Sequence, residues 1–211
     1  MKDLDKALLD IATIREKLTS GTEFQGFGPL TVALTGVLAL VAGVLQTYVP
    51  SLVETTQAFF TTWIITAIIA VFLMGVEMKK RSQRHHGGLA DDMLRTASEN
   101  FIPAGVVGAL LLFIFSFFAP DLLWLLPSFW LILVGIGIFS ALRFLPPLIM
   151  IGAAFYILLG LMTFINMSFQ RVLTPWSMAL PFALGQGLLS ILLHRASNKK
   201  HDRKGSNNNE K

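Results

Sequence analysis

The chain has 211 residues, of which 54% are hydrophobic, only 14% are charged and none is cysteine. A soluble domain carries about a quarter charged residues, so the composition argues against a water-soluble globule. The missing thiols exclude disulfides, thiolate catalysis and cysteine-ligated metals. The formal charge of +4 is read as membrane topology rather than nucleic-acid binding, because the cations flank uncharged runs of about 20 residues, the length that spans a bilayer.

The first segment, 1–26, is a charged amphipathic arm. Leu4, Ala7, Leu8, Ile11, Ile14 and Leu18 recur at three- and four-residue spacing, which predicts a helix over about Asp3–Leu18 with one apolar stripe. Its packing face is Leu4, Leu8, Ile11, Ile14 and Leu18. Four cations and five acids make the arm slightly acidic, which argues against anionic lipid as its sole target. It is expected to cover its own bundle, or to meet a protein partner or a second copy. Without a short apolar core and a small-residue cleavage site, it is expected to be retained.

Six apolar stretches follow within 27–194, at about 28–49, 58–78, 101–119, 122–142, 145–165 and 176–193. The fourth and fifth are separated only by Arg143 and Phe144, and Pro146-Pro147 supplies the break, since consecutive prolines remove helix donors and restrict the residue before them. These stretches predict an all-α polytopic membrane protein with six transmembrane helices.

Between the second and third spans lies the basic loop 79–100. With one flanking residue on each side, Met78 to Phe101 reads MKKRSQRHHGGLADDMLRTASENF. Lys79, Lys80, Arg81 and Arg84 follow directly on a span, as a topogenic anchor or an anionic-lipid contact does. Leu89–Asn100 is predicted as a short helix, with Asp91 and Asp92 in its first turn, where carboxylates favour the helix dipole. His85 and His86 are weak metal candidates, because adjacent ligands rarely converge on one ion and the nearby cations repel it. No metal site and no cofactor is therefore expected. The tail 195–211 is basic, then polar and low in complexity, and is expected to be disordered beyond about Asn198. Its Arg195, Lys199 and Lys200 join Lys79, Lys80, Arg81 and Arg84 as candidate partner- or lipid-binding residues.

Of the seventeen lysines and arginines, all but Arg171 fall on one side of the six spans. The positive-inside rule therefore predicts that both termini are cytoplasmic. Trp63, Trp124, Trp176 and Tyr48 lie near the opposite span ends, as an aromatic belt does. No Asp, Glu, Lys, Arg or His falls near the middle of a span, which argues against proton-coupled transport. All four histidines lie in predicted cytoplasmic segments, which leaves no transmembrane haem ligands, and no histidine lies at the depth of Ser140 or Ser190 to serve as a base.

The polar residues left inside are mild: Gln46, Ser116, Ser140, Gln186 and, near an outer end, Asn166. The fourth and sixth spans share Gly-x-Gly followed by Ser, at Gly135, Gly137, Ser140 and at Gly185, Gly187, Ser190, with Gln186 inside the second copy. Phe27-Gly-Pro29, Phe101-Ile-Pro103 and Phe144-Leu-Pro146 open the odd-numbered spans alike. This pattern is expected from three related helical hairpins, and equally from small residues serving helix packing. Gly135, Gly137, Ser140, Gly185, Gln186, Gly187 and Ser190 are thus candidates for helix packing or for a solute path.

Asp10 to Leu40, DIATIREKLTSGTEFQGFGPLTVALTGVLAL, has Ile14-Arg15 in an amphipathic arm, a Phe- and Gly-rich join and a Thr/Gly-rich first span. It loosely resembles the start of a group of small bacterial inner-membrane proteins with no assigned activity. The resemblance implies a multi-pass protein of the cell inner membrane and carries no catalytic residue. The expected function is that of a non-enzymatic integral membrane protein. Its cytoplasmic arm, basic loop and tail would bind a protein partner, a second copy or anionic lipid. The alternative is a transporter or channel component for an apolar or uncharged solute. An interfacial enzyme using His85, His86, Asp91 or Asp92 is the least supported reading, and no nucleic-acid partner is expected.

Overall fold

A computed structural model describes the backbone of residues 28–84, 88–142 and 145–209, and the side chains of these except 81–84, 88–98, 100 and 199–209. The arm face Leu4, Leu8, Ile11, Ile14 and Leu18, the pair His85-His86 and Arg143 lie outside the described residues. Arg81, Arg84, Lys199 and Lys200 lie on described helices, but their side chains do not.

The described chain is all-α: α1 Pro29–Tyr48, α2 Thr56–Arg84, α3 Gly88–Phe118, α4 Leu126–Ala141, α5 Ile149–Gln170 and α6 Trp176–Asn209, with 3-10 turns at Pro50–Leu52 and Pro120–Leu125. Six helices are long and apolar enough to cross a membrane. Three of them start for local reasons. Pro29 occupies the first turn of α1, where its missing N–H costs nothing. Thr55 accepts the Ala58 N–H at 3.0 Å and caps α2. The Pro146-Pro147 turn delays α5 to Ile149, four residues beyond the predicted start at Leu145, with Ile149 N–H donating to Pro146 O at 2.9 Å. Inside the helices, Thr47, Thr62, Thr66 and Ser140 donate their hydroxyls to carbonyls one turn back, which leaves those polar groups satisfied in an apolar surrounding.

Three helices run further than predicted. The basic loop is largely helical: α2 continues to Arg84, and the predicted short helix Leu89–Asn100 is the first part of one helix that passes through Pro103 to Phe118. The tail also differs from the expected disorder, since α6 continues past Asn198 to Asn209. A span already nucleated propagates at low cost through Ala, Arg and Lys, and no proline stops it. At about 1.5 Å per residue, α2 and α6 exceed a hydrocarbon core of about 30 Å, so their basic ends project beyond it.

In space the helices follow the order α2, α1, α6, α5, α4, α3, every neighbouring pair antiparallel. The pairs that three hairpins would form, α1–α2, α3–α4 and α5–α6, do touch, but the closest packing is between α4 and α5 and between α1 and α6. Both close pairs rest on small residues. A Cβ at Gly135 would lie 2.9 Å from the Ala153 carbonyl oxygen, one at Gly160 3.0 Å from that of Ser128, and one at Gly43 would collide with the Ala179 side chain. Two buried clusters result. One surrounds Tyr156 with Val32, Met78, Ile138, Ile149 and Leu189, the other surrounds Trp63 with Phe59, Phe60, Leu126 and Met178, and Phe182 packs on both.

α2 and α3 are peripheral. Only 6% of the α3 span and 17% of the α2 span is buried, against 39% for α1. These two helices close the arc with few contacts between them.

Candidate functional site

The two glutamines within the spans face opposite situations. Gln46, on α1, is 1% exposed. Its Nε2 donates to Phe59 O at 3.0 Å and Leu52 O at 3.4 Å, and its Oε1 accepts the Trp63 indole N–H at 2.9 Å. One amide thus ties α1 to the start of α2 and to the preceding 3-10 turn, with every strong valence used. Trp63 is 4% exposed and stacks near Phe182 at 6.3 Å. This corrects the expected belt role. Trp63 is a core residue whose polar edge is satisfied by Gln46, a pairing that neither position announces in sequence.

Gln186, on α6, is half-buried and makes no hydrogen bond to any described residue. Its Cβ meets Gly36 of α1, where an added Cβ would lie 3.0 Å away. The other members of the two Gly-x-Gly-Ser copies are used unequally. Gly135 and Gly185 both accept a neighbour on α5: Ile157 and Ala153 for the first, the Tyr156 ring for the second. Gly137 backs onto Phe101 and Ala104, whereas Gly187 faces open space. Ser140 is exposed and bonds its own helix, whereas Ser190 donates to Pro29 O of α1 at 2.7 Å. The three prolines that open the odd spans alike in sequence also diverge. Pro29 starts α1, Pro103 lies inside α3, and Pro146 precedes α5 in a turn. Packing therefore absorbs all the small-residue candidates except Gly187 and Ser140.

The charged ends are asymmetric. Lys79, Lys80 and Arg195 are exposed at the end of the bundle where α1 begins. At the other end Arg171 caps α5 in a left-handed conformation, φ 51°, with its guanidinium 5.9 Å from the Trp124 ring, a cation–π distance. Among the described residues, no group of three or more His, Asp or Glu is placed to hold a metal ion. Asp91 and Asp92 lie on α3, with side chains outside the described set.

These features define a multi-pass helical membrane protein with one basic end and, among the described residues, a half-buried amide at Gln186 that makes no hydrogen bond. Compared with known protein families, curated proteins and solved structures, the chain matches none. The chemistry of its own residues therefore carries the functional argument.

Proposed function

We propose that this is a non-enzymatic protein of a bacterial inner membrane, with both termini cytoplasmic, whose basic end binds anionic lipid. Lys79, Lys80, Arg81, Arg84, Arg195, Lys199 and Lys200 are the binding cations. One observation carries the reading: α2 and α6 run unbroken past their spans, to Arg84 and Asn209, so these cations ride on helices that project from one end of the bundle. A Lys or Arg beside an anionic surface is worth roughly 1 kcal/mol, and several at one end of the bundle act together. The arm 1–26, which precedes α1 in sequence and lies outside the described residues, carries the apolar stripe Leu4, Leu8, Ile11, Ile14 and Leu18 and is proposed to seat a protein partner or a second copy.

Native mass spectrometry of the protein extracted in mild detergent is expected to find retained phosphatidylglycerol or cardiolipin. Neutralising Lys79, Lys80, Arg81 and Arg84 to glutamine is expected to lower that retention by an order of magnitude or more. Equal retention in the neutralised variant would falsify the lipid reading, and a retained protein or second copy would replace lipid as the partner. A second reading, a transporter or channel component for an apolar or uncharged solute, is supported by the open amide of Gln186.

A further inference from the structure

We propose that Gln186 is the polar end of a binding site for an uncharged amphiphile that enters from the bilayer between α2 and α3. The site stands apart from the basic end. It would supply the binding step of a transporter but requires no transport.

The orientation of Gln186 follows from its neighbours on α6. Ala179, Ala183 and Ser190 face α1, and Gly185 and Leu189 face α5. Phe182 and Leu193, which pack into the core, occupy the sector between those two rows. Gln186 lies at the edge of this inward sector, so its partial exposure reports space inside the bundle rather than a lipid-facing outer surface. An amide at mid-membrane depth without a partner is costly. Gln46 shows how the same side chain is treated where the fold closes around it.

The opposite wall is open at the same depth. α2 presents Trp63, Ala67, Ala70, Met74 and Met78 along its inward stripe, at three- and four-residue spacing. Trp63 and Met78 are buried, whereas Ala67 is exposed and Ala70 and Met74 are half-buried. The stripe is therefore closed at both ends and open in the middle. Register fixes the depth. Gln46 of α1 meets Phe59 and Trp63 of α2, and Gly36 of α1 meets Gln186 of α6. Moving from Gln46 to Gly36 along the antiparallel α1–α2 pair leads from Phe59–Trp63 to the turns beside Ala70. The alanines leave the room, and the sparse α2–α3 contact leaves the entrance.

The chemistry of the wall selects the ligand. The primary amide offers both a donor and an acceptor, the half-buried Phe182 ring offers aromatic surface, and no described Asp, Glu, Lys, Arg or His lies at that depth to balance a charge. A mostly apolar pocket with one convergent polar group takes a molecule with an apolar body and a hydroxyl, ester or amide head.

The test reconstitutes the full-length protein in vesicles with a trace of a photoactivatable monoacylglycerol, and in parallel with a photoactivatable phosphatidylglycerol of the same acyl chain. The neutral probe is expected to label Trp63–Met74 and Phe182–Gln186. Gln186→Leu is expected to reduce that labelling about tenfold without lowering thermal stability, and Ala67→Phe with Ala70→Phe, which fills the gap, is expected to do the same. The anionic probe is expected to label these residues little in any variant. Neutral-probe labelling spread evenly over outward residues such as Ile68 and Phe117, or unchanged in Gln186→Leu and in the alanine variant, overturns the site. Preferential labelling of the site by the anionic probe overturns the ligand class.

Discussion

Gln46→Leu is expected to destabilise the protein by about 3 kcal/mol, the largest single-site loss among the polar residues of the spans. The substitution strands the Trp63 indole N–H and removes the Gln46 donor from Phe59 O and Leu52 O, at a position only 1% exposed. Leaving a buried donor or acceptor unsatisfied costs about 1–3 kcal/mol each. An interhelical hydrogen bond in a bilayer averages only about 0.6 kcal/mol because the unfolded state finds partners too. The larger figure is expected here because one amide serves three groups and leucine serves none. Equilibrium unfolding in detergent micelles measures it, with Gln186→Leu as the paired control. That control removes an amide with no described partner and is expected to leave stability unchanged or slightly raised. Equal losses at the two positions would show that both glutamines act as packing residues and would remove the contrast between them.

Gly135→Ala is expected to lose about 2 kcal/mol, whereas Gly105→Ala is expected to gain up to about 1 kcal/mol. A Cβ at Gly135 would lie 2.9 Å from the Ala153 carbonyl oxygen and 2.7 Å from Ile157 Cγ1, and a backbone atom cannot rotate away. α4 and α5 must then separate, with losses typical of overpacking, about 1–3 kcal/mol. Gly105 has nothing within 4 Å of an added Cβ, so alanine there brings only its better helix propensity. The same holds for Gly75 on α2. Thermal unfolding of the single variants reads the sign directly, and a loss at Gly105 as large as that at Gly135 would contradict the packing order.

Span number was legible because uncharged runs of about 20 residues have few alternatives to a membrane helix, and Pro146-Pro147 marked the break between the fourth and fifth spans. Neighbour relations were not legible. A span apolar all round its circumference does not say which face meets which helix, so the close α1–α6 and α4–α5 pairs were hidden behind a motif that suggested hairpins. Composition also misplaced the helix ends. Polar, basic residues read as loop or disorder, yet α2 continues to Arg84 and α6 on to Asn209 because a formed span offers a nucleus, and Leu89–Asn100, read as a separate short helix, is continuous with the third span. Trp63 looked interfacial by position alone, and only Gln46, seventeen residues earlier, explains why it is buried. Gln186 was legible as a candidate, but its lack of a partner is a property of the fold.

The most direct test of the account uses the absence of native cysteine, which makes every introduced thiol the only one. Cysteines placed singly at Val53, Val172, Lys80 and Lys200 are exposed to a membrane-impermeant maleimide on intact cells. Labelling is expected at Val53 and Val172, and at Lys80 and Lys200 only after the membrane is opened. Labelling of Lys80 and Lys200 in intact cells, with Val53 and Val172 protected, would put the basic end outside and contradict it.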